Sequence, residues 1–131
     1  MEKLSTFVKT ADWQNEKHVP VINAPEKIKA GEWTQITVTV GKEIPHPNNS
    51  LHYIAWIALH FVPEGSNVSV EIARCEFSAH GLSASGPDQG AAYAGSSAII
   101  PVKLMKPGVL HATAYCNIHG LWTSSAAVAV E

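Results

Sequence analysis

Short alternating stretches dominate the pattern of apolar and polar positions. From Thr34 to Val40, Ile36, Val38 and Val40 fall on one face and threonines on the other, the period of a half-buried strand. His52 to Phe61 is apolar on both faces and predicts a central strand covered on each side. Val68 to Phe77 alternates again, with Val70, Ile72 and Arg74 set against Glu71, Ala73 and Cys75. Ala98–Leu104, Val109–Cys116 and Ser125–Val130 read as three further strands. Proline and glycine punctuate the gaps at Pro45–Pro47, Pro63–Gly65, Gly86–Gly90 and Pro107–Gly108. No window carries a capped helical stripe. Regularly spaced strands with turn signals between them predict an all-β sandwich or barrel. With no repeat, linker or low-complexity tract, residues 1–131 are expected to form a single domain.

Composition narrows the partners. The chain is 46% hydrophobic and only 15% charged, which is globular and not disordered. A net charge of −2 without a run of like charges offers no footprint for nucleic acid or a membrane surface. The apolar run Tyr53–Val62 is too short to span a bilayer, and no secretory h-region follows the first residues. A cytoplasmic location is the expectation, with Cys75 and Cys116 reduced.

Three segments concentrate chemistry: Asn15–Pro20, Pro45–His52 and Tyr115–Trp122. Cys116 and His119 form a Cys-x-x-His at a strand end, a spacing at which a thiolate and an imidazole can hold one ion. Taken alone, the pair reads equally as a buried cysteine beside a surface histidine. His46 and His52 change that balance, because both sit where loop meets strand and prolines flank His46. With His18 the set is four histidines and one cysteine. Five donors fit a closed tetrahedral zinc site poorly. Blue copper uses two histidines, a cysteine and usually a methionine, and no methionine follows His119. Four imidazoles and a thiolate suit iron with a sixth position open to a small ligand.

The blocks Glu16-Lys17-His18-Val19-Pro20-Val21, Gly41-Lys42-Glu43-Ile44-Pro45-His46-Pro47-Asn48 and Cys116-Asn117-Ile118-His119-Gly120-Leu121-Trp122 resemble the signature of the superoxide reductase family. Pro63–Gly65 and Glu76–Gly81 extend the resemblance over almost the whole chain. No four-cysteine iron module is present, so the resemblance is to the one-iron, neelaredoxin-type members. It implies an immunoglobulin-like β-sandwich or barrel of about seven strands and one iron ion (Fe2+/Fe3+) per chain. His18, His46, His52 and His119 would be equatorial ligands and Cys116 the axial thiolate. Superoxide would be reduced to hydrogen peroxide, with rubredoxin or a similar small redox protein as donor and a homotetramer as the assembly.

Lys17 would then draw in the anionic substrate and supply a proton, and Glu16 would close the sixth position of the oxidised site. Without a metal nearby both are an exposed loop pair of little energetic consequence. Backbone amides of the Asn117–His119 turn are expected to donate to the sulfur. His80 is expected to make a structural hydrogen bond, His60 to lie in core or interface, His111 on a strand surface, and Cys75 to pack as a small hydrophobe. Trp122 is the better of the tryptophans for covering a metal. A cupredoxin-like copper electron carrier is the alternative reading.

Overall fold

A computed structural model describes all 131 residues. A 3-10 turn at Leu4–Phe7 precedes eight strands: β1 (Pro20–Asn23), β2 (Lys27–Ile28), β3 (Trp33–Val40), β4 (Ile54–Pro63), β5 (Val70–Glu76), β6 (Ser97–Lys103), β7 (Gly108–Cys116) and β8 (Gly120–Val130). They form two sheets, one of order β1-β3-β6 and one of order β2-β8-β7-β4-β5. The all-β sandwich expected from the sequence is present. No helix is long and apolar enough to cross a membrane.

Inward faces of both sheets supply one hydrophobic cluster, in which Ile36, Val38, Ile57, Leu59 and Leu110 are fully buried. The alternation of β3 places its apolar face there, as the sequence predicts. β4 lies between β5 and β7 with Ile57, Leu59 and Phe61 buried inward. Its outer face is only partly covered, Ala58 being buried and Trp56 and His60 half-buried, so the expectation of a strand covered on each side holds for the inner face alone.

Several boundaries differ from expectation. β1 and β2 are too short for periodicity to show, and Pro20 opens the first of them. β8 begins at Gly120, because Gly120–Thr123 pairs with Thr113–Cys116 across a tight turn. His52 lies before β4, which starts at Ile54. In β5 the predicted faces are wrong beyond Glu71. Glu71 pairs with His60 but Ala73 pairs with Leu59, so Ile72 is an extra residue at a bulge. One inserted residue reverses the parity of everything after it. Ala73 and Cys75 therefore pack towards the core, and Arg74 stands on the outer face over the Trp56 ring, 4.2 Å from its centroid.

The topology gathers one end of the sandwich. The end of β3 leads to His46, the segment before β4 carries His52, β7 ends at Cys116, and β1 starts just after His18. Four chain segments distant in sequence thus open onto one place.

Candidate metal centre

Cys116 is the last residue of β7 and fully buried, so its side chain belongs to the core layer at the sheet's end. The turn that follows folds back on the sulfur: the His119 amide donates to Cys116 Sγ at 3.3 Å. That contact places the His119 Nδ1 atom 3.8 Å from the sulfur. Gly120, at φ +83°, reverses the chain into β8. Within the same turn, Asn117 is tied to the chain on either side of His52.

His18 is buried and held from two sides. Its Nδ1–H donates to Glu16 Oε1 at 2.6 Å, and its backbone amide donates to the same oxygen at 3.1 Å. Trp122 lies against its ring with centroids 4.9 Å apart and planes 16° from parallel. The same indole donates to the His119 carbonyl at 3.2 Å, and Lys9 Nζ sits 5.7 Å above the ring. Committing Nδ1–H to Glu16 leaves Nε2 of neutral His18 with a bare lone pair. That atom is 3.1 Å from His119 Nδ1.

His46 donates from Nδ1 to the carbonyl of Pro47 at 2.6 Å, so its Nε2 is again the free lone pair. Its backbone lies against Gly41, whose φ is +82°; a Cβ there would meet the His46 amide nitrogen at 2.6 Å. Asn49 shapes the next turn, its Oδ1 accepting from the amides of Leu51 and His52 at 3.0 and 2.9 Å.

Ligand atoms of His18, His52, Cys116 and His119 all lie within 4.8 Å of one another. His46 stands at the margin of that group, its ring 4.9 Å from His18 and 4.7 Å from His52. Two buried nitrogens in the cluster, His46 Nε2 and His52 Nε2, have no hydrogen-bond partner. Orphaned polar atoms at this depth are costly unless something outside the protein satisfies them. A single cation would serve both orphans and the facing lone pairs of His18 and His119, so the donor set fits a metal ion. Four nitrogens and one sulfur favour a transition metal over a hard cation such as Mg2+.

Electrostatics point the same way. Burial is the main cause that lowers the pKa of His18, His46 and His52. For His46 burial outweighs the bond to Pro47, and the charges of His18, His52 and Lys17 lower it further, to about 4. In Glu16 burial acts upwards, but the hydrogen bonds and charge of His18 prevail and hold the carboxyl below its usual value. These three imidazoles are therefore held neutral, the form that binds metal.

Glu16 and Lys17, both partly buried, line an open groove of about 510 Å³ with Asn15, His18, Ile44, His119 and Trp122. The largest cavity, about 730 Å³, lies at the other end of the sandwich around Trp33, Phe61 and Met105 and contains no histidine or cysteine.

Of the other residues singled out in the sequence, His80 is buried with its nitrogens 2.8 Å from Asn48 Oδ1 and 2.6 Å from the Phe77 carbonyl. It stacks on Tyr53 at 3.9 Å. His60 is on the outer sheet face near Glu71 at 3.4 Å, and His111 bonds Ser125 at 2.8 Å. Cys75 is free and partly buried. Sequence reasoning missed Gly41, Asn48, Asn49 and the Asn117 side chain. The one signal for them is glycine and asparagine in the loops that carry His46, His52 and Cys116, a feature ordinary turns share.

The sequence model of the desulfoferrodoxin family matches residues 10–125. Neelaredoxin from Megalodesulfovibrio gigas is 46% identical over 98% of this chain and 99% of its own. Superoxide reductase from Pyrococcus furiosus is 47% identical over 91% of this chain and 94% of its own. The structure of reduced neelaredoxin from Archaeoglobus fulgidus, 47% identical, covers 94% of this chain and 98% of its own, with a TM-score of 0.87. These likenesses do not support the copper alternative, and neither methionine is near the cluster: Met1 is terminal and Met105 lines the distant cavity.

Proposed function

The chain belongs to the desulfoferrodoxin family, and from that premise we infer that it is a superoxide reductase working at the histidine and cysteine cluster. The observation that carries the reading is the convergence of unsatisfied donor atoms, two of them buried without partners, at one end of the sandwich.

We assign His18, His46, His52, His119 and Cys116 as the ligands of one iron ion. Iron held there would supply the electron for superoxide, cycling between Fe2+ and Fe3+. Everything else is done by the chain. Cys116, buried and receiving the His119 amide, presents an electron-rich sulfur whose basicity that hydrogen bond tunes. Glu16 fixes the tautomer and tilt of His18 through Nδ1. Released from that bond, its carboxylate can occupy the place a small anion would take. Lys17, on the groove wall, attracts the anionic substrate, and its ammonium can donate one of the two protons that peroxide needs. Trp122 screens the His18 face from water. The open groove suits a substrate of two atoms, for which field matters more than fit.

Residues 1–131 form one domain in this reading, a single hydrophobic cluster joining both sheets. Two free cysteines suit a reducing cytoplasm. A rubredoxin-like electron donor and a homotetrameric assembly complete the proposal.

The test mixes the reduced, iron-loaded protein with superoxide and follows absorbance, hydrogen peroxide and dioxygen. A thiolate-to-ferric band that grows with superoxide, together with peroxide and no dioxygen above the spontaneous reaction, is the expected result. Dioxygen and peroxide in equal amounts would mean dismutation, and absence of the band would remove Cys116 from the site.

A further inference from the structure

We propose that Asn117 is a positioning residue, locking His52 to the turn that carries Cys116 and His119. The proposal rests on reading those three residues as metal ligands.

Its side chain is spent on backbone. Oδ1 accepts from the amide of Tyr53 at 2.9 Å, and Nδ2 donates to the carbonyl of Leu51 at 2.9 Å. The Asn117 amide itself donates to the carbonyl of Tyr53 at 3.2 Å. Leu51 and Tyr53 are the two neighbours of His52, so the peptide units on both sides of that ligand are held. The β4–β7 ladder cannot do this, because its last pair at this end is Ile54 with Cys116, beside an irregularity. Asn117 continues the ladder with a side chain where the backbone no longer runs straight.

Only asparagine suits the position. A carboxamide offers one acceptor and two donors at the end of a short stem, and so imitates a peptide group. Aspartate would keep the acceptor for Tyr53 but turn a second oxygen towards the Leu51 carbonyl. Glutamine carries the amide one carbon further out. The local turn is already formed by Asn49, so Asn117 sets where His52 sits relative to the sulfur and not whether the turn exists. Cys116 and His52 come from segments 64 residues apart, and this is the side chain that bonds directly across that gap.

The experiment loads the 131-residue chain with Co2+ and measures the thiolate-to-cobalt absorption band and the rate of Co2+ release to a chelator. Asn117→Ala and Asn117→Asp are compared with wild type and with Val102→Ala, a core truncation at the far end of β6. Both Asn117 variants are expected to shift the band and to release Co2+ about 10- to 100-fold faster, the usual loss when a partner of a metal ligand is removed. Val102→Ala, destabilised at a remote site, keeps the wild-type band and rate. An Asn117→Asp protein with unchanged band and rate would overturn the proposal, and so would acceleration by Val102→Ala equal to that of Asn117→Ala. Wild-type protein that binds Co2+ without a thiolate band would overturn the ligand reading itself and this inference with it.

Discussion

Trp122 offers a measurable separation of packing from metal holding. The indole is 8% exposed, stacks on His18, and donates to the His119 carbonyl, so one side chain touches two of the proposed ligands. Trp122→Phe keeps an aromatic face on His18 but removes the N–H donor and one ring. The lost hydrogen bond and unfilled space cost about 1–2 kcal/mol. For a chain of this size that lowers the Tm of the metal-free protein by about 5 °C. Trp122→Leu removes the aromatic contact as well, a further loss of about 0.5–1.5 kcal/mol. Since 1.4 kcal/mol is a tenfold change in an equilibrium constant, iron should be held up to about 5- to 30-fold less tightly in Trp122→Phe, the upper bound being reached when all of that cost is expressed in the metal-bound state. In Trp122→Leu the same conversion gives up to about 10- to 300-fold. Thermal unfolding of the metal-free proteins and competition for Fe2+ with a coloured chelator read the two quantities separately. If both variants lost thermal stability as expected yet held iron like wild type, Trp122 would be a core residue only. The screening role would then be refuted.

Other outcomes follow from single residues. Lys17→Ala should slow the second-order reaction with superoxide and flatten its salt dependence without loss of iron, read by rapid mixing at several ionic strengths. Cys116→Ser should abolish the thiolate-to-metal band while the metal-free protein keeps its β-sheet circular dichroism. Gly41→Ala should weaken iron binding, because the added Cβ meets the His46 amide at 2.6 Å in a backbone conformation that disfavours alanine; comparison with Gly65→Ala, at the far end of the sandwich, where φ is +79° but the space is open, isolates the displacement of His46. The metal-free protein should lose stability as the pH falls from about 6.5 to about 4. His46 is held neutral when folded, through burial and the charges of His18, His52 and Lys17 against the opposing bond to Pro47, so the unfolded chain takes up its proton first. Urea unfolding at a series of pH values checks this, and a stability flat across that window would contradict it.

β3 and β5 to β7 were legible because burial on one face imposes a period of two on seven or more residues, and β4 because ten residues form a continuous apolar run. β1 and β2, at four and two residues, cannot carry that period. The first residues of β8 were hidden because Gly120–Ser124 shows no alternation; it pairs with β7 because the Cys116–Gly120 turn folds it back. The bulge at Ile72 left no mark, since an inserted isoleucine looks like one more strand residue. Candidate ligands were visible because histidine and cysteine are chemically conspicuous at strand ends. Their supports were not, because an asparagine bonded to backbone 64 residues away has the same local appearance as one that caps its own turn.

That difference bears on how the site works without its metal. The neutral imidazoles of His46 and His52 are buried with Nε2 unsatisfied, and His18 Nε2 faces His119 Nδ1 at 3.1 Å, an arrangement that collapses or takes up water in a pliable protein. Here each histidine is restrained from behind, His18 and His46 at the ring, by Glu16 and Trp122 and by the Pro47 carbonyl, and His119 at its backbone amide by the Cys116 sulfur. His52 is restrained through its backbone by Asn49 and Asn117. The fold thus opposes relaxation of the cluster and keeps the donors aimed inwards. The ordering cost is met by the sandwich, and the free energy of metal binding is left to relieve the orphaned nitrogens. Removing a restraint should therefore show first in how fast the metal leaves and only afterwards in whether the sandwich forms.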